Sequence, residues 1–277
     1  MRIPEKLEIL VENGLIDGVV CQLMSGKEAE VYVVRSKGEM RCAKVYKDAD
    51  HRSFSKQTRY QEGRRVRNSR QARAMEKKSR HGRKEQEEAW QTAEVDALQR
   101  LAEAGVRVPE VYSFMGGVLL MELVVDGSGN SAPRLNDVRL PAAQAREYHA
   151  FMMRQIVLML CAGVVHGDLS EYNVLVGSGG PVIIDLPQAI DAAANNNASA
   201  MLLRDVANIT AYFGRFAPEL LATDYGREIW KLYAGGELTT GTVLTGEFQQ
   251  SGIPADVRGV MREVDYVRRQ HERLGLK

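Results

Sequence analysis

Cysteine is scarce in this sequence, and its placement excludes two classes of protein. Cys21, Cys42 and Cys161 are odd in number, widely separated and outside any CxxC or Cys/His cluster. Neither a disulfide framework nor a zinc site is expected from them. Long apolar runs are missing too. The longest, Ile156 to Val165, falls far short of the roughly 20 residues a membrane span needs. The opening residues, MRIPEKLEILVENG, set Glu5 and Glu8 among apolar positions and do not read as a secretory signal. A cytoplasmic protein with no membrane partner is the expectation. No repeat of 20–50 residues is visible either.

Charge imbalance is absent only from the total of +1. Residues 47–84 hold 14 lysines and arginines against four acids, about +10, which leaves about −9 for the rest of the chain. This stretch keeps no apolar period and is expected to be partly helical, exposed and flexible. Its runs Arg64-Arg65-Val66-Arg67 and Arg80 to Lys84 would neutralise nucleic-acid phosphates, or equally serve as a solvated linker. Aromatics are few there, Phe54 and Tyr60 alone, so base stacking is poorly supported.

What is present suffices for a real core: 277 residues, 44% hydrophobic and 26% charged. Leu7, Leu10 and Val11 suggest a short amphipathic helix within residues 1–18. VVCQLMSG, EAEVYVVRS and MRCAKVYK then read as strands, turning at Ser25-Gly26-Lys27 and Lys37-Gly38-Glu39. A helix is expected over residues 85–104, with Trp90, Val95, Leu98 and Leu101 on one face. EVYSFM and VLLMELV follow as strands across Gly116-Gly117. The most apolar helix covers 142–164. Beyond residue 198 the segments MLLRDVANITAYFGRF, APELLATDYGREIWKLYAGG and PADVRGVMREVDYVRRQHERL all read as helical.

The chemistry concentrates in His166-Gly167-Asp168-Leu169-Ser170-Glu171-Tyr172-Asn173. Phosphoryl transfer to a hydroxyl needs a carboxylate to orient that hydroxyl and an oxygen ligand to hold Mg2+ against the triphosphate. The spacing H-x-D-x-x-x-x-N delivers both from one loop, with Asp168 as catalytic carboxylate and Asn173 as metal ligand. Val182-Ile183-Ile184-Asp185 then reads as an apolar strand ending in a second metal-binding carboxylate. Each residue alone could simply cap a turn; the three in this order point to a phosphotransferase.

Upstream, Lys44 alternates with apolar neighbours and would face inward, where an anion must meet it. Glu94 is the expected carboxylate partner, with Glu87 and Glu88 as rivals. Ser25, Gly26, Lys27, Glu28, Ala29 and Val31 form a loop where a nucleotide cover should lie. It has neither the three glycines of GxGxxG nor a Walker pattern. Its small residues would still bring backbone N–H groups to phosphate.

SGKEAEVY, AKVYK, a WxxxE helix, LLMEL, HGDLSEYN, VIIDLPQ and LLRDVANI occur in the order found in the RIO family of atypical serine/threonine protein kinases. The chain resembles its Rio1 branch from about residue 19 to 215. The resemblance implies an α+β, two-lobed protein-kinase-like fold, with a β-rich N-lobe and a reduced helical C-lobe. The expected division is an N-terminal helix at 1–18, the N-lobe at 19–125 with the basic insert 47–84, and a hinge region and helical C-lobe at 126–277. ATP and Mg2+ are the implied cofactors, with Mn2+ as a substitute metal. Met121 would guard the adenine pocket, and the backbone of Glu122 and Leu123 would meet adenine. Asp185 would also accept phosphate, giving net ATP hydrolysis. Partners implied are a protein substrate or the chain itself, and an rRNA or ribosomal particle through residues 52–84. Glu30 departs from the family loop, where Asn follows Ala, and Pro187 from a position where relatives often carry Ser. The alternative is a small-molecule phosphotransferase of the aminoglycoside or choline kinase type, which also uses HGDxxxxN and a following Asp.

Overall fold

The computed structural model describes residues 4–47 and 80–248, with side chains in the second stretch described from residue 92 on. One compact unit spans Met1–Gly246; of the second, Glu247–Lys277, only residues 247 and 248 are described. Most of the basic insert and the expected final helix therefore lie outside the described residues. So does Trp90 as a side chain.

β1 (Gly18–Ser25), β2 (Ala29–Ser36), β3 (Glu39–Tyr46), β4 (Val111–Met115) and β5 (Val118–Glu122) form one antiparallel sheet in the order β1-β2-β3-β5-β4. The β2–β3 turn has two central residues at positive φ, Lys37 at 53° and Gly38 at 83°. That geometry matches the twist of a tight hairpin. Gly116 and Gly117 repeat it between β4 and β5, at 58° and 74°.

Alternation along the strands sorts side chains onto two faces. Tyr32, Val34, Ala43, Val45, Val118 and Leu120 pack outward against Leu7, Leu10 and Ile16, which belong to or follow helix α1 (Glu5–Glu12). Tyr46, Ala29 and Leu119 face the other way, toward Val95, Leu98 and Leu101 of helix α2 (Arg80–Glu103) and the rest of the core. Two details of the expected pattern change. Val11 turns outward, 39% exposed, because Leu7 and Leu10 already fill the contact. β1 is almost wholly exposed beyond Val19, since it is an edge strand, and two bulges twist it.

The C-lobe is built on helix α3 (Ala142–Cys161), whose buried face includes Met152, Met153, Ile156, Val157 and Leu160. Helix α4 (Ala198–Gly214) packs across it and helix α5 (Tyr225–Ala234) closes the bundle. The stretch APELLATDYGREIWKLYAGG is not one helix. A 3-10 turn at Pro218–Ala222 precedes α5, which restarts with Asp224 accepting the Arg227 N–H as its cap. α2 likewise begins earlier than periodicity suggests, at Arg80. Between α3 and α4 run β6 (Val164–Val165), β7 (Val174–Gly177), β8 (Gly180–Ile183) and β9 (Ile190–Asp191), paired β6-β9 and β7-β8. Among the described residues no helix is long and apolar enough to cross a membrane.

Candidate active site

Lys44 joins three separate elements. Its ammonium donates to Glu94 Oε1 at 2.7 Å and to Asp185 Oδ1 at 2.8 Å, linking β3 to α2 and to the loop after β8. Burial alone would lower its pKa, but the carboxylates of Asp185 and Glu94 prevail and hold it well above the ordinary lysine value. Lys44 in turn depresses Asp185 below the usual aspartate value. Glu94 is 2% exposed and shares its second oxygen with the hydroxyl of Tyr46. Burial, then Glu94, pushes the Tyr46 phenol far up, so it stays a donor at any working pH. In the sequence Tyr46 is only a residue of AKVYK; its part in the network appears once α2 lies beneath β3.

Asp185 differs from its partners in being open. Its side chain is 46% exposed, so one flank meets Lys44 while the rest is accessible from the cleft. It sits at φ 65°, a left-handed conformation uncommon for residues with a Cβ and found often at functional turns. The preceding residue, Ile184, is fixed at both its N–H and its carbonyl. Ile184 N–H donates to the Asn173 carbonyl at 3.0 Å, and the Ile184 carbonyl is 3.1 Å from His166 Nε2. His166 Nδ1 accepts the Asp168 N–H at 3.3 Å, which leaves the proton on Nε2 to donate to Ile184. Burial lowers the pKa of His166, favouring this neutral form. Its position is that of a strut between loop and strand end.

The loop itself places Asp168 at the surface and Asn173 half-buried. Asn173 Nδ2 donates to the Asp168 carbonyl at 2.9 Å, so the side-chain oxygen is the end left to face a ligand. Asn173 and Asp185 together make an all-oxygen donor pair. Among the described residues no cluster of three His, Cys, Asp or Glu forms a self-sufficient metal cage. Such a pair fits Mg2+, which is commonly held by one or two protein oxygens plus substrate phosphates.

A family model for the RIO domain matches residues 30–225. The chain belongs to the RIO family. It is similar to the RIO-type serine/threonine-protein kinase Rio1 of Haloferax volcanii, 35% identical over 215 residues, which cover 74% of this chain and 67% of that protein. It is also similar to the human serine/threonine-protein kinase RIO1, 28% identical over 237 residues, 83% of this chain and 39% of that protein. The chain therefore spans about two thirds of the archaeal relative and well under half of the human one. A solved Rio2 kinase from Chaetomium thermophilum, an ADP/Mg2+-phosphoaspartate complex, superposes with a TM-score of 0.51 at 19% identity. It covers 84% of this chain and 74% of its own. The fold is the two-lobed kinase-like α+β arrangement, and the names of these relatives do not favour a small-molecule phosphotransferase.

In this RIO domain the loop is anchored by a residue that sequence reading leaves unassigned. Asp205, on α4 and 2% exposed, accepts the N–H of Gly167 at 2.8 Å and of Leu169 at 3.1 Å. These bonds flank Asp168 and aim it outward. Burial raises the Asp205 carboxyl to about 7, against the two N–H donors that favour its charged form. Arg204 adds a bond to the Gly167 carbonyl, and Asn208 Nδ2 donates to the Leu169 carbonyl at 3.0 Å. In the sequence, Asp205 stands in LLRDVANI, one of the stretches that carry the family resemblance, but its anchoring role is not read from it.

The remaining expected site residues cluster less tightly. Ser25, Gly26, Lys27 and Glu28 form the β1–β2 loop, with Ala29 buried and Val31 half-buried on β2. Met121, Glu122 and Leu123 lie at the end of β5, all partly buried. The Glu122 N–H donates to the Glu110 carbonyl at 2.8 Å, which leaves any adenine contact at this residue to its carbonyl. The Glu122 carboxylate is forked with Arg107, whose Nη1 lies at 2.8 Å. Arg107 N–H in turn donates to Gln155 of α3 at 2.7 Å, tying the end of β5 to the C-lobe.

Proposed function

We propose that this chain is an ATP- and Mg2+-dependent protein serine/threonine kinase of the RIO type, acting on a protein or on itself. The observation that carries the reading is Lys44, buried and bonded to both Glu94 and Asp185. Kinase chemistry requires that lysine-to-glutamate pair to be assembled before phosphates are engaged. In this reading Lys44 meets the ATP phosphates, the Ser25–Glu28 loop covers them, and Met121 with the Glu122 carbonyl and Leu123 borders adenine. Asn173 and Asp185 would hold Mg2+, which supplies neutralisation of charge developing on the phosphoryl oxygens. Asp168 orients the attacking hydroxyl and takes its proton, while Asp205 and His166 keep the loop rigid enough for in-line geometry.

The phosphoaspartate of the Chaetomium relative supports a second use of Asp185. A carboxylate oxygen attacks the γ-phosphorus, the bond to the ADP oxygen breaks, and water later hydrolyses the acyl phosphate. Its exposed flank supports this role. The charge of residues 52–84 supports an rRNA or ribosomal-particle partner. RNA affinity unchanged after neutralising that segment would remove this partner from the reading.

The deciding experiment follows γ-labelled ATP in wild type and Asp168→Ala. Transfer should fall by about 10²- to 10⁴-fold, with Mg-ATP affinity retained. Asp185→Ala should weaken Mg-ATP binding as well. Undiminished transfer by Asp168→Ala would remove Asp168 from the chemistry.

A further inference from the structure

Kinase nucleotide loops of the GxGxxG kind follow their ligand because three glycines leave the backbone free. Here one glycine, Gly26, stands in the loop, and a set of polar contacts binds the loop from within. The Gly26 N–H donates to the Ala29 carbonyl at 2.9 Å. Lys47, one residue beyond β3, donates its backbone N–H to the Glu28 carbonyl at 2.9 Å. Its ammonium donates to the Gly26 carbonyl at 2.8 Å and to Ser25 Oγ at 3.3 Å, and lies 3.6 Å from Glu30 Oε1. The ammonium thus donates to two loop acceptors, and the Glu30 carboxylate adds an ionic contact beyond hydrogen-bond distance.

Glu30 is fixed from its other side. Its Oε2 accepts the Tyr32 hydroxyl at 2.6 Å, and its Oε1 accepts the Ser25 hydroxyl at 3.2 Å. Ser25, Gly26 and Glu30 thus surround Lys47 from both ends of the loop. Glu30 also balances the added positive charge locally. The same strand end therefore delivers Lys44 into the cleft and, three residues later, Lys47 to the loop above it.

We propose that Lys47, held by Glu30, is a positioning residue that keeps the Ser25–Glu28 loop in one shape, so that the loop meets nucleotide phosphates without a prior ordering step. The proposal rests on the nucleotide-binding reading of the cleft. A preformed loop binds more tightly than a flexible one because its ordering is already complete. The brace touches the phosphate cover and not the adenine border at Met121 to Leu123, so its loss should be felt according to phosphate content.

The test is calorimetric titration of the full chain with Mg-ATP and with adenosine, accompanied by steady-state kinetics. Lys47→Met should weaken Mg-ATP by about tenfold and adenosine by less than about twofold, an effect of the size expected for one coupled polar cluster. KM for ATP should rise with it while kcat changes little. Lys47→Arg should recover most of the affinity. Combining Glu30→Gln with Lys47→Met should be no worse than Lys47→Met alone, because Glu30 acts through Lys47.

A brace that merely stabilises the hairpin would lower the melting temperature of Lys47→Met and leave Mg-ATP affinity unchanged, and that result overturns the proposal. Equal losses for adenosine and ATP overturn it also. Should Lys47→Met fail to fold, Glu30→Gln carries the same comparison, with a smaller loss for Mg-ATP expected and none for adenosine. Wild type is titrated first: failure to bind Mg-ATP at all would remove the nucleotide reading itself, whereas normal wild-type binding beside unaffected variants removes only the brace.

Discussion

The two faces of the N-lobe sheet are made by alternate residues of the same strands, and they hold together in opposite ways. On β3, Ala43 and Val45 point outward and Lys44 and Tyr46 inward. Outward lies an apolar cluster with Leu7, Leu10 and Ile16, all 2% exposed or less. Inward lies an ionic network in which every member relies on another: Lys44 on two carboxylates, Glu94 on Lys44 and Tyr46, Asp185 on Lys44. Apolar contact is non-directional, so the outer face should tolerate exchanges of similar volume. A buried charge has no such latitude, because removing one partner leaves the other desolvated and unpaired. The two faces meet at Tyr46, whose carbonyl accepts the Lys6 ammonium of α1 at 2.6 Å and whose hydroxyl serves Glu94.

Substitutions can break this contrast, and the largest effect belongs to the inner face. Lys44→Met removes the one cation between Glu94 and Asp185 and should destabilise the fold by about 3–5 kcal/mol in chemical denaturation. It should also abolish phosphoryl transfer. A stability loss below about 1 kcal/mol would mean that the network behaves like a surface pair. Leu10→Ala comes next. It should lower stability by about 2–5 kcal/mol through lost burial and a cavity, yet leave kcat and the KM for ATP of the folded enzyme near wild type. Equal damage to catalysis would show that the faces are coupled through β3. Tyr46→Phe is smaller. It deletes a donor to a charged, buried oxygen while keeping the ring beside Phe114, and should lower stability by about 1.5–3 kcal/mol. Double substitution with Lys44→Met should be clearly non-additive, since both serve Glu94.

The strands that carry both faces could be read from the sequence, and the contacts of the inner face only in part. Period-two alternation and the paired turns at Lys37-Gly38 and Gly116-Gly117 are local signals, and local signals suffice for strands and their facing. Lys44 stood out for the same reason: a lysine at an inward position demands an anion. Its partners are 50 and 141 residues away, and Glu94 could be proposed only by analogy with other kinases. Tyr46 and Asp205 lie inside AKVYK and LLRDVANI, stretches that carry the family resemblance, yet no role for either follows from the sequence. A tyrosine in a strand and an aspartate in a helix each look ordinary until another element crosses them, as α2 crosses β3 and α4 crosses the loop at Gly167. β1 reads as a strand and is one, but it ends the sheet, and Val20, Leu23 and Met24 are left exposed.

Acidity offers the finest probe of the contrast, because the one group of the outer cluster that titrates, the Tyr32 hydroxyl, is pushed up to about 12 by burial and by Glu30. Asp185 is depressed, first by Lys44, so its contribution to stability is full above the unfolded aspartate value of about 3.9 and is lost as pH falls through the lower folded value. Lys44 is raised, its carboxylates outweighing burial, so its contribution is full below the unfolded lysine value of about 10.4 and is lost as pH rises through the higher folded value. The stability difference between wild type and Lys44→Met should therefore be largest between about pH 5 and about pH 9 and shrink on both sides. Asp205, which burial carries up to about 7, titrates inside that window in both proteins and cancels from the difference. Leu10→Ala against wild type should show no pH dependence between about pH 5 and about pH 9, since the one titrating group of its cluster, Tyr32, is carried up to about 12. A difference that persists undiminished as pH falls well below the unfolded aspartate value of about 3.9 would mean that Lys44 does not hold Asp185, and the network would have to be redrawn without that bond.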